Sequence, residues 1–388
     1  MFPFLAPSLT KIWGPFRLFG SHLTLIFLST AVSALLLIFF FPKLWHFLPH
    51  DKGKAFVQKS EEAAGKPTGG GLIIVLSFVF SLLLFMPFSL QLWGTVLCLT
   101  LCMLTGFLDD CSGSHWSETK KGFWDFAISL LVVLVMTWGT EPRIWVPIFR
   151  SAASDGTYLL PYPLYVFITT FILWVTINVV NCSDGVDGLA GSLSLIGLFG
   201  LGIFLYAIIG HSTISNYLLL PHQKDGAKWA ILTFTAAGTL SGYLWHNAKP
   251  SAVMMGDAGS RFIGLLIGIS SIAAGNPFLV LAAIPMLYID GGIGLGKLII
   301  FRLLKRCNVD VRPLLANVVN PKHPENFADE EAAAKQIWIV KTLHKLRCPL
   351  HDHCRKNLKW SDTQVLVRFM LMQILLMTAL FLIAIKLR

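Results

Sequence analysis

The stretch FILWVTINVVNCSDGVDGLAGSLSLIGLFGLGIFLYAII, residues 171–209, decides how this chain is read. Its flanks are apolar, while its centre, Asn178 to Gly191, holds two aspartates, two asparagines and three glycines. Apolar runs of roughly 18 residues or more read as membrane-spanning helices. The polar centre is therefore a short turn between two spans, in a chain that otherwise avoids charge.

Working outward, the same alternation covers the whole length. The 388 residues are 55% hydrophobic and only 13% charged, and the mean hydropathy is +0.67. A soluble domain carries about a quarter charged residues, so this composition could not cover a water-exposed surface. Ten apolar spans are expected, at 23–42, 71–88, 92–108, 123–139, 161–178, 188–209, 228–245, 261–275, 277–303 and 366–385. The expected class is an all-α integral membrane protein. No basic region leading to a small-residue cleavage site precedes the first span, so it reads as an anchor. No internal repeat is evident, which counts against common transporter designs.

Lysine and arginine set the orientation. Loops after odd-numbered spans hold 21 of them, and the opposite loops and termini hold seven. This bias places both termini outside and the odd-numbered exits in the cytoplasm. The net charge of +10 is then mainly a cytoplasmic membrane face and needs no nucleic-acid partner. Such a face also attracts anionic lipid or phosphate. Seven cysteines, several of them within spans, do not suggest a disulfide framework. Cys348-Pro-Leu-His-Asp-His-Cys354 is too short to wrap four ligands around zinc easily and reads as a non-metal loop.

Five polar stretches interrupt the apolar pattern: 65–71, 106–110, 178–191, 247–260 and the loop with His351 and His353. They follow spans 1, 3, 5, 7 and 9, so all five share the cytoplasmic side. Taken singly, paired aspartates at a span end read as solvated boundary residues, and glycines read as helix stops. Taken together, Asp109, Asp110, Asp184, Asp187 and Asp257 focus five carboxylates on one membrane face and call for a cation. Magnesium takes oxygen ligands and is held by one or two carboxylates plus substrate phosphates. Glycine-rich turns opening helices at Asp187-Gly-Leu and Asp257-Ala-Gly-Ser bring backbone N–H groups near an anion. The expectation is metal-assisted phosphoryl chemistry at the membrane surface, with a soluble phosphate donor and a lipid partner.

The motifs GFLDD (106–110), NVVNCSDGVDGLAG (178–191) and NAKPSAVMMGDAGS (247–260), in that order, resemble the polyprenyl-phosphate N-acetylhexosamine-1-phosphate transferases. CPLHDHCRKNLKWSDTQVLVRF (348–369) is similar to the histidine loop of the muramoyl-pentapeptide branch. The resemblance runs from about residue 20 to the end. It implies ten transmembrane helices, a cytoplasmic cleft in a bacterial inner membrane, and commonly a homodimer. It also implies transfer of phospho-MurNAc-pentapeptide from a UDP carrier to undecaprenyl phosphate, with Mg²⁺ as cofactor and UMP released, in peptidoglycan synthesis. Carried onto this sequence, Asp109 assists or deprotonates the lipid phosphate, Asp110 lies beside it, and Asp257 binds Mg²⁺. Asn181, Asp184 and Asp187 line the nucleotide-sugar site with Asn247 nearby; His351 and His353 hold the donor's phosphates or sugar.

The departures cluster on donor binding. The branch's triple histidine, aromatic and glutamate read His351-Asp352-His353-Cys354-Arg355. Met254 stands where a phenylalanine usually stacks on uracil, and Asp290 and Lys297 stand where Glu and Gln are usual. The lysine usual just before the first glycine motif is missing, leaving Lys66 inside it as the candidate substitute. A GlcNAc-1-phosphate transferase is therefore the alternative within the superfamily. A membrane transporter is the distant one, because transporter carboxylates belong near mid-membrane. Residues 306–347 look like an insertion, and 328–346 reads as an amphipathic helix, acidic at its start and basic at its end. It suits a surface helix or a docking surface for a partner enzyme or lipid.

Overall fold

The computed structural model describes residues 1–50, 65–112, 116–147, 156–312 and 337–386. These form a helical bundle. After the short α1 (Phe2–Thr10), the long elements are α2 (His22–Leu44), α3 (Gly71–Phe85), α4 (Leu90–Cys111), α5 (Glu118–Thr137) and α6 (Tyr162–Ser183). There follow α7 (Leu189–Ile203), running on as a π-helical turn at Phe204–Ile209, the short α8 (Ser212–Tyr217), α9 (Gly226–Asn247) and α10 (Gly256–Ala273). The chain finishes with α11 (Leu279–Ala283), α12 (Pro285–Arg306), α13 (Trp338–Lys345), α14 (Leu350–Lys356) and α15 (Asp362–Lys386).

Nine of the ten apolar runs fall mainly on a continuous helical stretch. Among the described residues, five helical stretches, His22–Phe47, Leu90–Cys111, Tyr162–Ser183, Leu189–Ile209 and Asp362–Ile385, are long and apolar enough to cross a membrane. Helices suit lipid because every internal N–H and C=O is bonded within the segment. Large apolar side chains such as Phe27, Phe39, Leu97, Phe167 and Leu375 stand exposed on the outer faces, as a lipid-facing belt requires. Two details differ from the expected pattern. The ninth run is broken into α11 and α12 because Pro285 opens a new helix and cannot donate an N–H to the old one. The connection between α5 and α6 holds a two-stranded antiparallel pair, β1 (Arg143–Ile144) with β2 (Tyr158–Leu159). It is pinned by buried Trp145, whose Nε1 donates to the Ala274 carbonyl at 2.8 Å.

The core sits around α10, which is buried from Ala258 to Ile272 and packs on α3, α4, α6 and α7. Without a hydrophobic drive between helices in lipid, close backbone approach supplies the packing. At Gly106, in α4, an added Cβ would lie 2.6 Å from the Asp257 carbonyl oxygen. Only glycine permits that approach, and it sets the end of α4, with its two aspartates, against the start of α10. Of the amphipathic helix expected at 328–346, residues 328–336 lie outside the described residues. The remainder appears as α13, with Trp338 exposed and Val340 buried.

Candidate active site

The five polar stretches meet at one end of the bundle. Gly70 and Gly71 donate backbone N–H bonds to the Met254 and Met255 carbonyls at 3.0 and 2.9 Å, and Met254 N–H donates to Pro67. The 65–71 stretch is thereby laid along the turn that opens α10. Asp110 reaches the same turn from the last turn of α4. Its Oδ1 accepts the Asp257 N–H and its Oδ2 the Ala258 N–H, both at 3.0 Å. Gly256 precedes them at φ +68°, where an added Cβ would lie 2.4 Å from Asp110 Oδ2; a side chain there would be strained and would displace the aspartate.

The anion at this helix start is therefore the protein's own Asp110. The sequence reading of the turn as a cradle for a bound phosphate is corrected by those two bonds. The other glycine-flanked helix start is occupied in the same way. Gly188 N–H, opening α7, donates to Asn247 Oδ1 at 2.7 Å, and Asn247 Nδ2 donates to the Val253 carbonyl at 2.8 Å. Asn247 is buried and both of its side-chain groups are committed to joining the 184–188 and 247–253 turns.

Between α4, α5 and α10 lies a tight charge cluster. Lys121 Nζ sits 2.6 Å from Asp109 Oδ2 and 2.8 Å from Asp257 Oδ2. Asp109 is fully buried, and its Oδ1 accepts the Trp116 N–H at 2.6 Å. Asn181 Nδ2, from the last turn of α6, donates to Asp257 Oδ1 at 3.1 Å and to Ser260 Oγ at 2.9 Å. Lys121 precedes the apolar part of α5. Burial works against its charge, but the carboxylates of Asp257 and Asp109 outweigh that and raise its pKa. The ammonium stands where two carboxylates require a cation.

Lys121 was not singled out by sequence reasoning, which counted it only as one more loop charge. The signal available was Lys121 followed four residues later by Asp125, an acidic residue inside an apolar run. Arg261, also counted as a loop cation, is buried against Asp125 instead.

The donor-side candidates form a looser rim. Lys66 Nζ donates to Ser251 Oγ at 3.0 Å and lies 4.0 Å from Asp187 Oδ2. Asp184 is half-buried at the end of α6. His351, on α14, is held by buried Asp290 of α12, which accepts its backbone N–H at 2.7 Å and lies 2.9 Å from its Nδ1. Its other ring nitrogen abuts Gly185, where an added Cβ would lie 2.5 Å away. The glycine in the middle of the opening motif is thus needed to seat this histidine. His353 points elsewhere, with Nδ1 accepting the Arg347 N–H at 3.4 Å, so the structure brings one of the two histidines to the 184–188 turn. The Asp290–His351 pairing crosses 61 residues and left no local pattern to read.

Among the described residues no three His, Cys, Asp or Glu side chains form a ready metal cage. Magnesium does not need one, because one or two carboxylates complete its shell with phosphate and water. Asp257 and Asp109 offer hard oxygen atoms on either side of a resident cation, so the donor set fits that ion.

Residues 92–275 match the family model described as glycosyl transferase family 4. The chain is similar to the phospho-N-acetylmuramoyl-pentapeptide-transferase of Treponema pallidum (strain Nichols), 38% identical over 386 residues, covering 97% of this chain and 94% of the relative. The protein of the same name from Nautilia profundicola is 33% identical over 270 residues, covering 66% of this chain and 74% of the relative. That from Helicobacter hepaticus is 30% identical over 268 residues, covering 63% and 72%. With the motif order, the converged aspartates and a likeness spanning nearly the whole of both chains, this chain belongs to the phospho-N-acetylmuramoyl-pentapeptide-transferase family.

Proposed function

We propose that the protein transfers phospho-MurNAc-pentapeptide from its UDP carrier to undecaprenyl phosphate, forming lipid I and UMP. The observation that carries this reading is the Asp109–Lys121–Asp257–Asn181 cluster at the ends of apolar helices, in a chain of this family. An oxygen of the lipid phosphate attacks the sugar-bearing phosphorus. The pyrophosphate P–O bond breaks, and UMP leaves with the bridging oxygen.

A phosphate monoester is already nucleophilic near neutral pH, so a carboxylate base need only remove its last proton. Asp109 takes that role, oriented by the Trp116 N–H and Lys121. Asp110 is a positioning residue that holds the start of α10, and with it Asp257, against α4. Asp257 would hold Mg²⁺, which when bound would supply positive charge toward the pyrophosphate and the departing UMP. Asn181 orients Asp257. Lys66, Asp184, Asp187 and His351 form the donor rim, and His353 flanks it. Catalysis of this kind is mainly placement and electrostatics.

The charge bias and the family support the following setting. The chain crosses the bacterial inner membrane about ten times with both termini outside, and the cleft opens to the cytoplasm. Assembly as a homodimer rests on the resemblance and is tested by the mass of the detergent-solubilised particle.

The transferase reading is tested by UMP release from purified protein with undecaprenyl phosphate, with and without Mg²⁺. The expected result is Mg²⁺-dependent release with UDP-MurNAc-pentapeptide. Release with UDP-GlcNAc alone would assign the protein to the other branch of the superfamily.

A further inference from the structure

One helical turn into the bundle from Lys121 and Asp257 lies a second pair of opposite charges. Asp125 follows Lys121 by four residues on α5, and Arg261 follows Asp257 by four on α10. Residues at that spacing share a helix face. Arg261 Nε donates to Asp125 Oδ1 at 2.8 Å, and its Nη2 donates to the same oxygen. Both side chains are almost fully buried, at 2% and 3% exposure.

The signs alternate in both directions. α5 reads cation then anion, and α10 reads anion then cation, so each charge has an opposite neighbour across the interface and along its own helix. Stability does not explain the lower pair. Burying two charges among apolar helices is costly, and a well-packed apolar pair is often as stable or more so. Arg261 Nη1 also finds no acceptor among the described residues, and a buried donor left unmatched calls for an explanation.

We propose that Asp125 and Arg261 are positioning residues for the transfer, a buried clamp that keeps Lys121 and Asp257 in register beside Asp109. An anionic substrate entering the cleft draws Lys121 away from Asp257. The clamp holds α5 against α10 while that happens, and Arg261 leaves Asp257 with a cationic neighbour. This inference rests on the transferase reading.

The test compares three variants with wild type in detergent: Asp125→Leu/Arg261→Met, the swap Asp125→Arg/Arg261→Asp, and Arg261→Lys. Thermal midpoints are recorded alongside kcat and both KM values. The apolar variant is expected to fold with a wild-type midpoint but to lose kcat by about tenfold or more, with each KM within about twofold. The swap keeps the ion pair but sets like charges next to Lys121 and Asp257, and is expected to lose about a hundredfold. Arg261→Lys, which keeps the charge, is expected to retain most of kcat.

Wild-type kcat in the apolar variant, or in a folded swap, would overturn the proposal. So would losses in all three variants that simply follow their thermal midpoints. If the apolar variant fails to fold, the swap decides; if both fail, Arg261→Lys decides, and a loss there as deep as expected for the swap overturns it. Wild-type UMP release, measured in parallel, tests the transferase reading by itself, while the ratio of variant to wild type tests the clamp.

Discussion

The two halves of the candidate site are built differently. The half formed by α4, α5, α10 and the end of α6 is a knot of polar groups at contact distance, with Asp109, Lys121, Asp257 and Asn181 all within 3.1 Å of a partner. The half formed by the 65–71, 184–188 and 247–253 turns and α14 is held by backbone and amide bonds. Its candidate ligands face one another loosely, as with Lys66 and Asp187 at 4.0 Å. The first half has fixed geometry on rigid helices, which suits a group that must meet a reacting phosphorus. The second is turn-built and carries the departures from the branch pattern, which suits recognition of a variable donor.

If that division holds, changes in the first half act on kcat and changes in the second on donor KM. Asp257→Asn keeps the shape but removes the charge that Lys121 and Asn181 are arranged around. It is expected to lower kcat on the order of 10³-fold, read by UMP release under saturating substrates. Lys121→Met unpairs two carboxylates at once, and a loss of about 10²-fold is expected, again in kcat. On the other side, Gly185→Ala would drive a methyl group into His351. Donor KM is expected to rise about tenfold while kcat stays within about threefold. Equal effects on both constants would erase the contrast between the halves. The smallest catalytic effect is expected from Asn247→Ala, which breaks two internal bonds. It should cost about 1–3 kcal/mol of stability, seen as a lower thermal midpoint with near-normal kcat.

Much of the fold was legible because a membrane imposes one rule on every span: an apolar run long enough to cross becomes a helix. The break at Pro285 is hidden from hydropathy because one proline barely lowers the mean of a long apolar run. In the site, Asp109, Asp110, Asp257 and Asn181 were legible because carboxylates and amides at span ends stand out from apolar surroundings. Their division of labour was not. Asp110 and Asn247 turn out to cap helix starts, since a backbone N–H at a helix start donates to a protein carboxylate or amide oxygen as readily as to a ligand phosphate. Lys121 hid among loop lysines, and Arg261 was counted with them. The Asp290 contact to His351 joins helices far apart in sequence, which no spacing rule reaches.

The central claim is that the charge knot performs a phosphoryl transfer between a UDP-sugar and a lipid phosphate. The most direct measurement follows labelled sugar from UDP-MurNAc-pentapeptide into an organic-extractable lipid product while UMP is counted in the same reaction. The expected result is one UMP for each lipid-linked sugar with wild-type protein and on the order of 10³-fold less of both products with Asp257→Asn. Lipid-linked product formed at the wild-type rate by Asp257→Asn, or UMP released without any lipid-linked sugar, would contradict it.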